Sequence, residues 1–287
     1  DAGLMPKRVL DIAGTGGDGK HTVNISTLAA LLCAAADEVK VCKYGNRSAS
    51  GICGSMDVLE SVGISIDRSP QQLASASKNQ NFTPLFARTI YPGARHVAEA
   101  RSSIGRPTLF NLLFSLARPI HGDFSFLMGF SKRESMQIAS ELLAHDKATC
   151  LLVHGQDGTD ELSITGNGIT EYALLRNGQM SSGVIDYEQI FGGKPVDIQF
   201  LQIKSKQEAI DLFLQTFDTS FSDKRIEVIR QSVLVNAAGA LSIAFSEGST
   251  SLEDSLFDSF QSLKDVLYSG KAREFLVSLQ GEGTSVL

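Results

Sequence analysis

The stretch RVLDIAGTGGDGKHTVNISTLAALLCAAA, residues 8–36, decides the reading of this chain. Arg8 to Ala13 has the apolar character of a strand, and Asn24 to Ala36 reads as a helix with Asn24 as its N-cap. Between them lies Gly14-Thr15-Gly16-Gly17-Asp18-Gly19. A glycine-rich segment between a strand end and a helix start turns backbone N–H groups and the positive helix end toward an anion. The spacing is neither G-x-G-x-x-G nor G-x-x-x-x-G-K-[ST], so neither a dinucleotide site nor a P-loop fits. Ser26 and Thr27, in the first helical turn, add hydroxyls suited to phosphate or a metal. The alternative is a tight turn whose glycines only permit positive φ.

Working outward, strand-like and helix-like segments alternate. Glu38 to Lys43 reads as a second strand, Met56 to Val62 as a short helix, Glu134 to Ala144 as another helix and Leu151 to His154 as a later strand. This pattern predicts an α/β fold with a mostly parallel sheet flanked by helices. Pro92 to Ala117 reads as helical, with Pro92 and Pro107 at helix starts, and forms a small helical lobe. Residues 1–90 and 119–287 then make the α/β domain, with 91–118 a remnant of a small helical domain. Asp157-Gly158, Gly166-Asn167-Gly168 and Asn177-Gly178 read as hairpin turns. From Lys206 the chain is helical again, and it ends in an unpatterned Gly281-Glu282-Gly283-Thr284 tail.

The composition is that of a globular chain: 287 residues, 43% hydrophobic and 20% charged, with a net charge of −6. An acidic balance argues against coating nucleic acid or an anionic membrane, so neither is an expected partner. No apolar stretch is expected to reach membrane-spanning length, and no signal peptide precedes Asp1. Cys33, Cys42, Cys53 and Cys150 form no C-x-x-C pair and have no histidine at zinc spacing. Cys33, Cys42 and Cys150 lie in apolar runs and read as buried thiols of a reduced, cytoplasmic protein.

Two further segments carry chemistry. Lys43-Tyr44-Gly45-Asn46-Arg47-Ser48 closes the second strand with two cations and an amide around a glycine, suited to phosphate or carboxylate or to a solvated loop. His154-Gly155-Gln156-Asp157-Gly158-Thr159-Asp160-Glu161-Leu162 follows the later strand. Its adjacent carboxylates Asp160 and Glu161 suit Mg²⁺, which takes a few carboxylates plus phosphate oxygens, although an acidic hairpin has the same sequence. His154 reads equally as a structural hydrogen-bonder or a site residue. Parallel strands deliver such loops to one rim of the sheet.

Taken together, GTGGDG with NIST, K-x-GNRS with DVLE, and VHGxDGxDELS resemble the anthranilate phosphoribosyltransferase family, in the order and approximate spacing that family shows. The resemblance implies Mg²⁺-dependent transfer of phosphoribosyl from 5-phosphoribosyl 1-diphosphate (PRPP) to the amine of anthranilate, a step of tryptophan biosynthesis. Carried over by position, Gly14, Gly16, Gly17, Asp18 and Asn24 would line the diphosphate and ribose site. Thr27, Lys43 and Ser55 would contact the phosphates, and Ser26, Asp160 and Glu161 would hold metal, as two Mg²⁺ ions. Gly14, Asn46 and Arg101 would meet anthranilate, with Lys43 and Asn46 acting by electrostatics and positioning. The resemblance also implies a homodimer joined through a helical domain whose N-terminal helices would precede the first strand. Those helices do not stand in this sequence, so either the chain starts abruptly or a preceding segment is missing.

The departures from the family pattern fall on the acceptor side. Tyr44 and Tyr91 stand where the family carries histidines, and Phe114-Ser115 replaces a Gly-Pro. Pro107 displaces an expected arginine, with Arg106 beside it. These changes admit a paralogue that uses the same donor with another aromatic acceptor. Other readings are a nucleoside phosphorylase, or a catalytically silent relative that binds nucleic acid or protein.

Overall fold

The computed structural model describes residues 8–48, 51–94, 96, 103–104, 113, 116–117, 124–144, 149–245 and 250–280. Arg101, Arg106, Pro107, Phe114 and Ser115, and most of the expected helical lobe, lie outside the described residues.

The parallel part of the sheet consists of β1 (Arg8–Gly14), β2 (Val39–Gly45), β3 (Phe82–Phe86), β4 (Phe124–Gly129) and β5 (Thr149–Gly155). β6 (Ile169–Arg176) turns back against β5, and β7 (Gln179–Asp186) turns back against β6. The order across the sheet is β3-β2-β1-β4-β5-β6-β7. Helices α1 (Ile25–Ala35), α2 (Ser55–Ser61), α3 (Pro70–Asn79) and α4 (Ala87–Ile90) follow the first strands. Then come α5 (Arg133–Leu143), α6 (Tyr187–Phe191), α7 (Lys206–Phe217), α8 (Lys224–Phe245), α9 (Leu252–Tyr268) and α10 (Lys271–Leu279).

The strands are apolar on both faces because helices cover both. Leu127, Leu151, Val153 and Leu174 join the core built with α1, α8 and α9. Their neighbours Phe126, Met128, Cys150, Leu152, Ala173 and Leu175 point the other way, onto Met136, Ala139 and Leu143 of α5. The period of two sorts one sequence into two cores.

α8 corrects one sequence expectation, since its 22 residues are long and apolar enough to cross a membrane by length and composition. Its apolar character all round has another cause: it is the central core helix, packed against α1, α9, β1 and β4. Its polar residues are satisfied internally. Arg230, 1% exposed, donates to the carbonyls of Thr216 (2.9 Å), Phe221 (2.7 Å), Gln215 (3.3 Å) and Asp218 (2.6 Å), and pairs with Glu227. It thereby caps the carbonyl end of α7.

Other expectations fare unevenly. Asn24 stands at the N-cap of α1 but does not cap it; its Nδ2 donates to the Cys53 carbonyl at 3.0 Å. Asn177-Gly178, at φ +53° and +73°, closes the β6–β7 hairpin, whereas Asp157-Gly158 and Gly166–Gly168 shape the long β5–β6 connection. Cys33 and Cys150 are buried, but Cys42 is only partly so. β3, β4 and α3 were not anticipated. Pro84 hides β3, and is tolerated because β3 is the sheet edge. The signal for α3 was legible: Ser69 and Gln72 form a reciprocal capping box around Pro70.

Replacing Arg230 with Met would leave four carbonyls, that of Thr216 buried and the others partly so, without this donor. The expected loss is about 3 kcal/mol or more of stability, read as a lower urea midpoint.

Candidate active site

The chain leaves β1 toward β2 and returns from β3 to β4 on the opposite side of β1, so the carboxyl ends of β1 and β4 flank the sheet's switch point. Open α/β sheets bind ligands at such a point. Loops after β1, β2, β4 and β5 meet there.

The loop after β1 is no tight turn. Lys20 to Asn24 separate Gly19 from α1, with the Val23 N–H donating to the Leu201 carbonyl at 2.8 Å. Gly16, Gly17 and Gly19 adopt φ of +62°, +76° and +70°, and a β-carbon on Gly16 or Gly19 would meet nothing within 4 Å. Their glycine identity therefore answers to backbone conformation in an open, partly exposed loop. The loop is tied to β4: the Thr15 N–H donates to the Gly129 carbonyl at 2.9 Å, and the Ser131 N–H donates to Thr15 Oγ1 at 3.3 Å. Below it, the Asn24 Oδ1 and Thr27 Oγ1 atoms are buried without a hydrogen-bond partner. Such orphans cost about 1–3 kcal/mol each unless a ligand or water meets them. Thr27 is fully buried.

Lys43 is also deeper than its loop position suggested, at 2% exposure. Its Nζ donates to the Ile12 carbonyl at 2.6 Å and to Ser26 Oγ at 3.3 Å. Burial pulls its pKa down to about 8 against the attraction of Asp160 and Glu161. Ser26, Lys43 and the two acids thus share one neighbourhood. Asn46 is exposed and turns its Oδ1 onto the Arg47 N–H at 2.9 Å. Ser55 Oγ donates to the Asn46 carbonyl at 3.3 Å, while Asp57 Oδ2 accepts from the Ser48 and Gly54 N–H groups at 2.8 and 2.9 Å. Asp57, which sequence reading quoted in DVLE without giving it a role, thereby ties Ser48 to Gly54. Arg47 pairs with Glu60 at 2.8 Å, both about half exposed, so this pair contributes little.

The acidic loop is built from beneath. Asp157 accepts from Thr159 Oγ1 (2.8 Å), Ser163 Oγ (2.8 Å) and Thr165 Oγ1. Burial pushes its pKa up, and these bonds outweigh burial to hold it below the ordinary value. Asn236 of α8 takes the Leu162 N–H at 2.9 Å and donates to the Leu162 carbonyl at 3.0 Å. Asp160 Oδ2 accepts the Gly16 N–H at 2.7 Å. Burial, then the nearby Asp18, raise the Asp160 pKa to about 6; burial, then Asp160 itself, push Glu161 well above the usual range. Among the described residues, Lys43 is the cation that offsets them in both cases. Hard oxygen donors with unbalanced negative charge fit a divalent cation held partly by a ligand's phosphates. Among the described residues, no three His, Cys, Asp or Glu side chains form a ready cage. His154 is a structural hydrogen-bonder, with Nδ1 2.8 Å from the Phe130 carbonyl oxygen.

On the other side of the rim, Tyr44 and Tyr91 meet edge to face at 6.2 Å, and Tyr91 Oη donates to the Ala117 carbonyl. Arg101 lies outside the described residues.

Residues 6–273 match the family described as glycosyl transferase family, a/b domain. The anthranilate phosphoribosyltransferase of Corynebacterium jeikeium is 33% identical over 95% of this chain and 72% of its own length. That of Nitrosomonas eutropha is 34% identical over 94% and 75%. The crystal structure of anthranilate phosphoribosyltransferase from Thermus thermophilus is 32% identical, covers 96% of this chain and 79% of its own, and superposes with a TM-score of 0.79. A Saccharomyces cerevisiae anthranilate phosphoribosyltransferase in complex with PRPP and Mg, at 22% identity and a TM-score of 0.82, shares the fold.

The raised pKa of Asp160 has a definite sign. The folded protein binds its proton more tightly than the unfolded chain, so stability is fully present below about 3.8 and falls as pH rises through about 6. In metal-free buffer, the Asp160→Asn variant is expected to gain melting temperature relative to the parent as pH rises from 4 to 6. A constant difference across that range would contradict this assignment.

Proposed function

Taking as premise that this chain belongs to the glycosyl transferase family, and within it to the anthranilate phosphoribosyltransferases, we propose that it transfers phosphoribosyl from PRPP to the amine of anthranilate in tryptophan biosynthesis. The observation that carries this reading is the meeting of the Gly14–Gly19 loop, Lys43 and the Asp160–Glu161 pair at the β1/β4 switch point.

Each part has a task in that reaction. The exposed glycine loop, with the orphaned polar atoms of Asn24 and Thr27, takes the donor's phosphate oxygens, and Ser55 takes a further phosphate contact. Lys43, anchored on the Ile12 carbonyl and unable to swing away, supplies fixed positive charge to the departing diphosphate. Ser26, Asp160 and Glu161 hold Mg²⁺, as two ions, which neutralises diphosphate charge when bound. An aromatic amine is neutral at pH 7 and needs no strong base. Asn46 and Arg101 position it against the ribosyl carbon, which becomes cationic as the diphosphate leaves. The chain acts as a cytoplasmic homodimer, with residues 91–118 belonging to the helical domain that joins the subunits.

A second reading has its own support: the Tyr44–Tyr91 contact replaces both family histidines on the acceptor side. One assay separates the two. Protein, Mg²⁺, PRPP and anthranilate are mixed and the loss of anthranilate fluorescence is followed. The expected result is turnover, reduced about 10²–10³-fold by Lys43→Ala and abolished along with Mg²⁺-dependent PRPP binding by Glu161→Gln. PRPP binding without anthranilate turnover would favour another aromatic acceptor. Failure to bind PRPP at all would overturn the transferase reading.

A further inference from the structure

Four adjacent strands of the sheet end on glycine: Gly45 in β2, Gly14 in β1, Gly129 in β4 and Gly155 in β5. None of the four has a positive φ, so backbone conformation does not call for glycine there. Space does. A β-carbon on Gly45 would stand 2.2 Å from Ser55 Oγ, and one on Gly155 would stand 2.4 Å from Thr159 Oγ1. At the two central strands the intruder is the same residue. A β-carbon on Gly14 would lie 2.2 Å from Asp160 Oδ2 and 2.9 Å from its Cγ. One on Gly129 would lie 1.6 Å from the Asp160 carbonyl oxygen and 2.3 Å from its carbonyl carbon.

Gly14 and Gly129 are direct partners in the β1–β4 register, so their missing side chains form one notch at the switch point. We infer that Gly14 and Gly129 are positioning residues whose notch seats Asp160, Gly129 receiving its main chain and Gly14 its carboxylate. The seat fixes where the acidic pair stands. Further along the same segment the Asn236 amide grips Leu162, and beyond the notch the Gly16 N–H takes Asp160 Oδ2, so the pair is held on both sides. The consequence for catalysis rests on the reading of Asp160 and Glu161 as divalent-cation ligands; the seat itself does not.

The two glycines differ in a way that makes the seat testable. An Ala side chain at position 14 collides with a side chain, which can be removed; at position 129 it collides with main chain, which cannot. The experiment compares Gly14→Ala, Asp160→Ala, the double variant and Gly129→Ala, measuring melting temperature and the affinity for Mn²⁺ in the presence of inorganic diphosphate. Gly14→Ala alone is expected to lower the melting temperature and to weaken Mn²⁺ binding about 10–100-fold, as loss of an outer support for a metal ligand does. In the Asp160→Ala background the same Gly14→Ala change is expected to leave the melting temperature unaltered, while Gly129→Ala destabilises in both backgrounds. An equal loss from Gly14→Ala in both backgrounds overturns the seat. Coupled stability with parental Mn²⁺ affinity in Gly14→Ala overturns the positioning role. Coupled stability in a parent protein that binds no Mn²⁺ with diphosphate upholds the seat and removes the metal reading instead.

Discussion

The functional half of this molecule depends on a sheet edge with no side chains on it. Strands β2, β1, β4 and β5 stop on glycines, and the loops that follow lie directly on those ends. A β-carbon on Gly129 would meet the Asp160 main chain, and one on Gly45, Gly14 or Gly155 would first meet a side-chain atom, in an interior whose native density leaves little slack. The row lets the connections after β2 and β5 close onto one floor. The residues that close over it, Ser55, Asp160 and Thr159, come from the connections after β2 and β5. Their close approach therefore depends on the absence of a β-carbon at each strand end, with main chain as the intruder at Gly129.

On that floor the charges are left unbalanced. Lys43 is buried and its pKa lowered, while Asp160 and Glu161 have theirs raised. A protein selected for stability alone would pair or remove such groups. Here one cation faces several carboxylates, and two polar atoms at the start of α1 have no partner. Perturbed ionisation and orphaned polar atoms gathered near one switch point mark a candidate site for a charged ligand. Structural pairs elsewhere behave differently: Arg230 is as buried as Lys43, but each of its bonds ends on a carbonyl or on Glu227. The contrast separates a cation used for folding from one held for chemistry.

Much of this was legible in the sequence because local signals coincide with the elements that matter. β1, α1, β2 and β5 have apolar patterns with clear ends, and the three site motifs directly follow strands. What was not legible depends on distance in the chain. That Asp160 reaches Gly16 across 144 residues, or that Asn236 grips Leu162 across 74, has no periodic trace. The depth of Lys43 and Thr27 was missed for the same reason: a polar residue in a motif looks exposed until the sheet below it is built. Asn24 shows the limit of local rules, since it occupies a capping position while its side chain serves a different loop.

The donor and acceptor sides of the site are held by different means, and that bears on how each diverges. On the side assigned to the donor each contact has a main-chain atom at one end or both, from the Thr15 N–H to the Gly129 carbonyl, the Gly16 N–H to the Asp160 carboxylate and the Lys43 ammonium to the Ile12 carbonyl. On the acceptor side, Tyr44 and Tyr91 touch through their rings, and Tyr91 reaches Ala117 through its hydroxyl. Two tyrosines distant in sequence are thus one contact in space. Tyr44 is 6% exposed, so a smaller residue there would leave its partner ring facing a void, and restoring only one histidine would strand the other ring. The pair is expected to change together or not at all. Under the proposed function, the loops assigned to the donor would be anchored at main-chain atoms, and the side assigned to the acceptor would carry a coupled pair of rings.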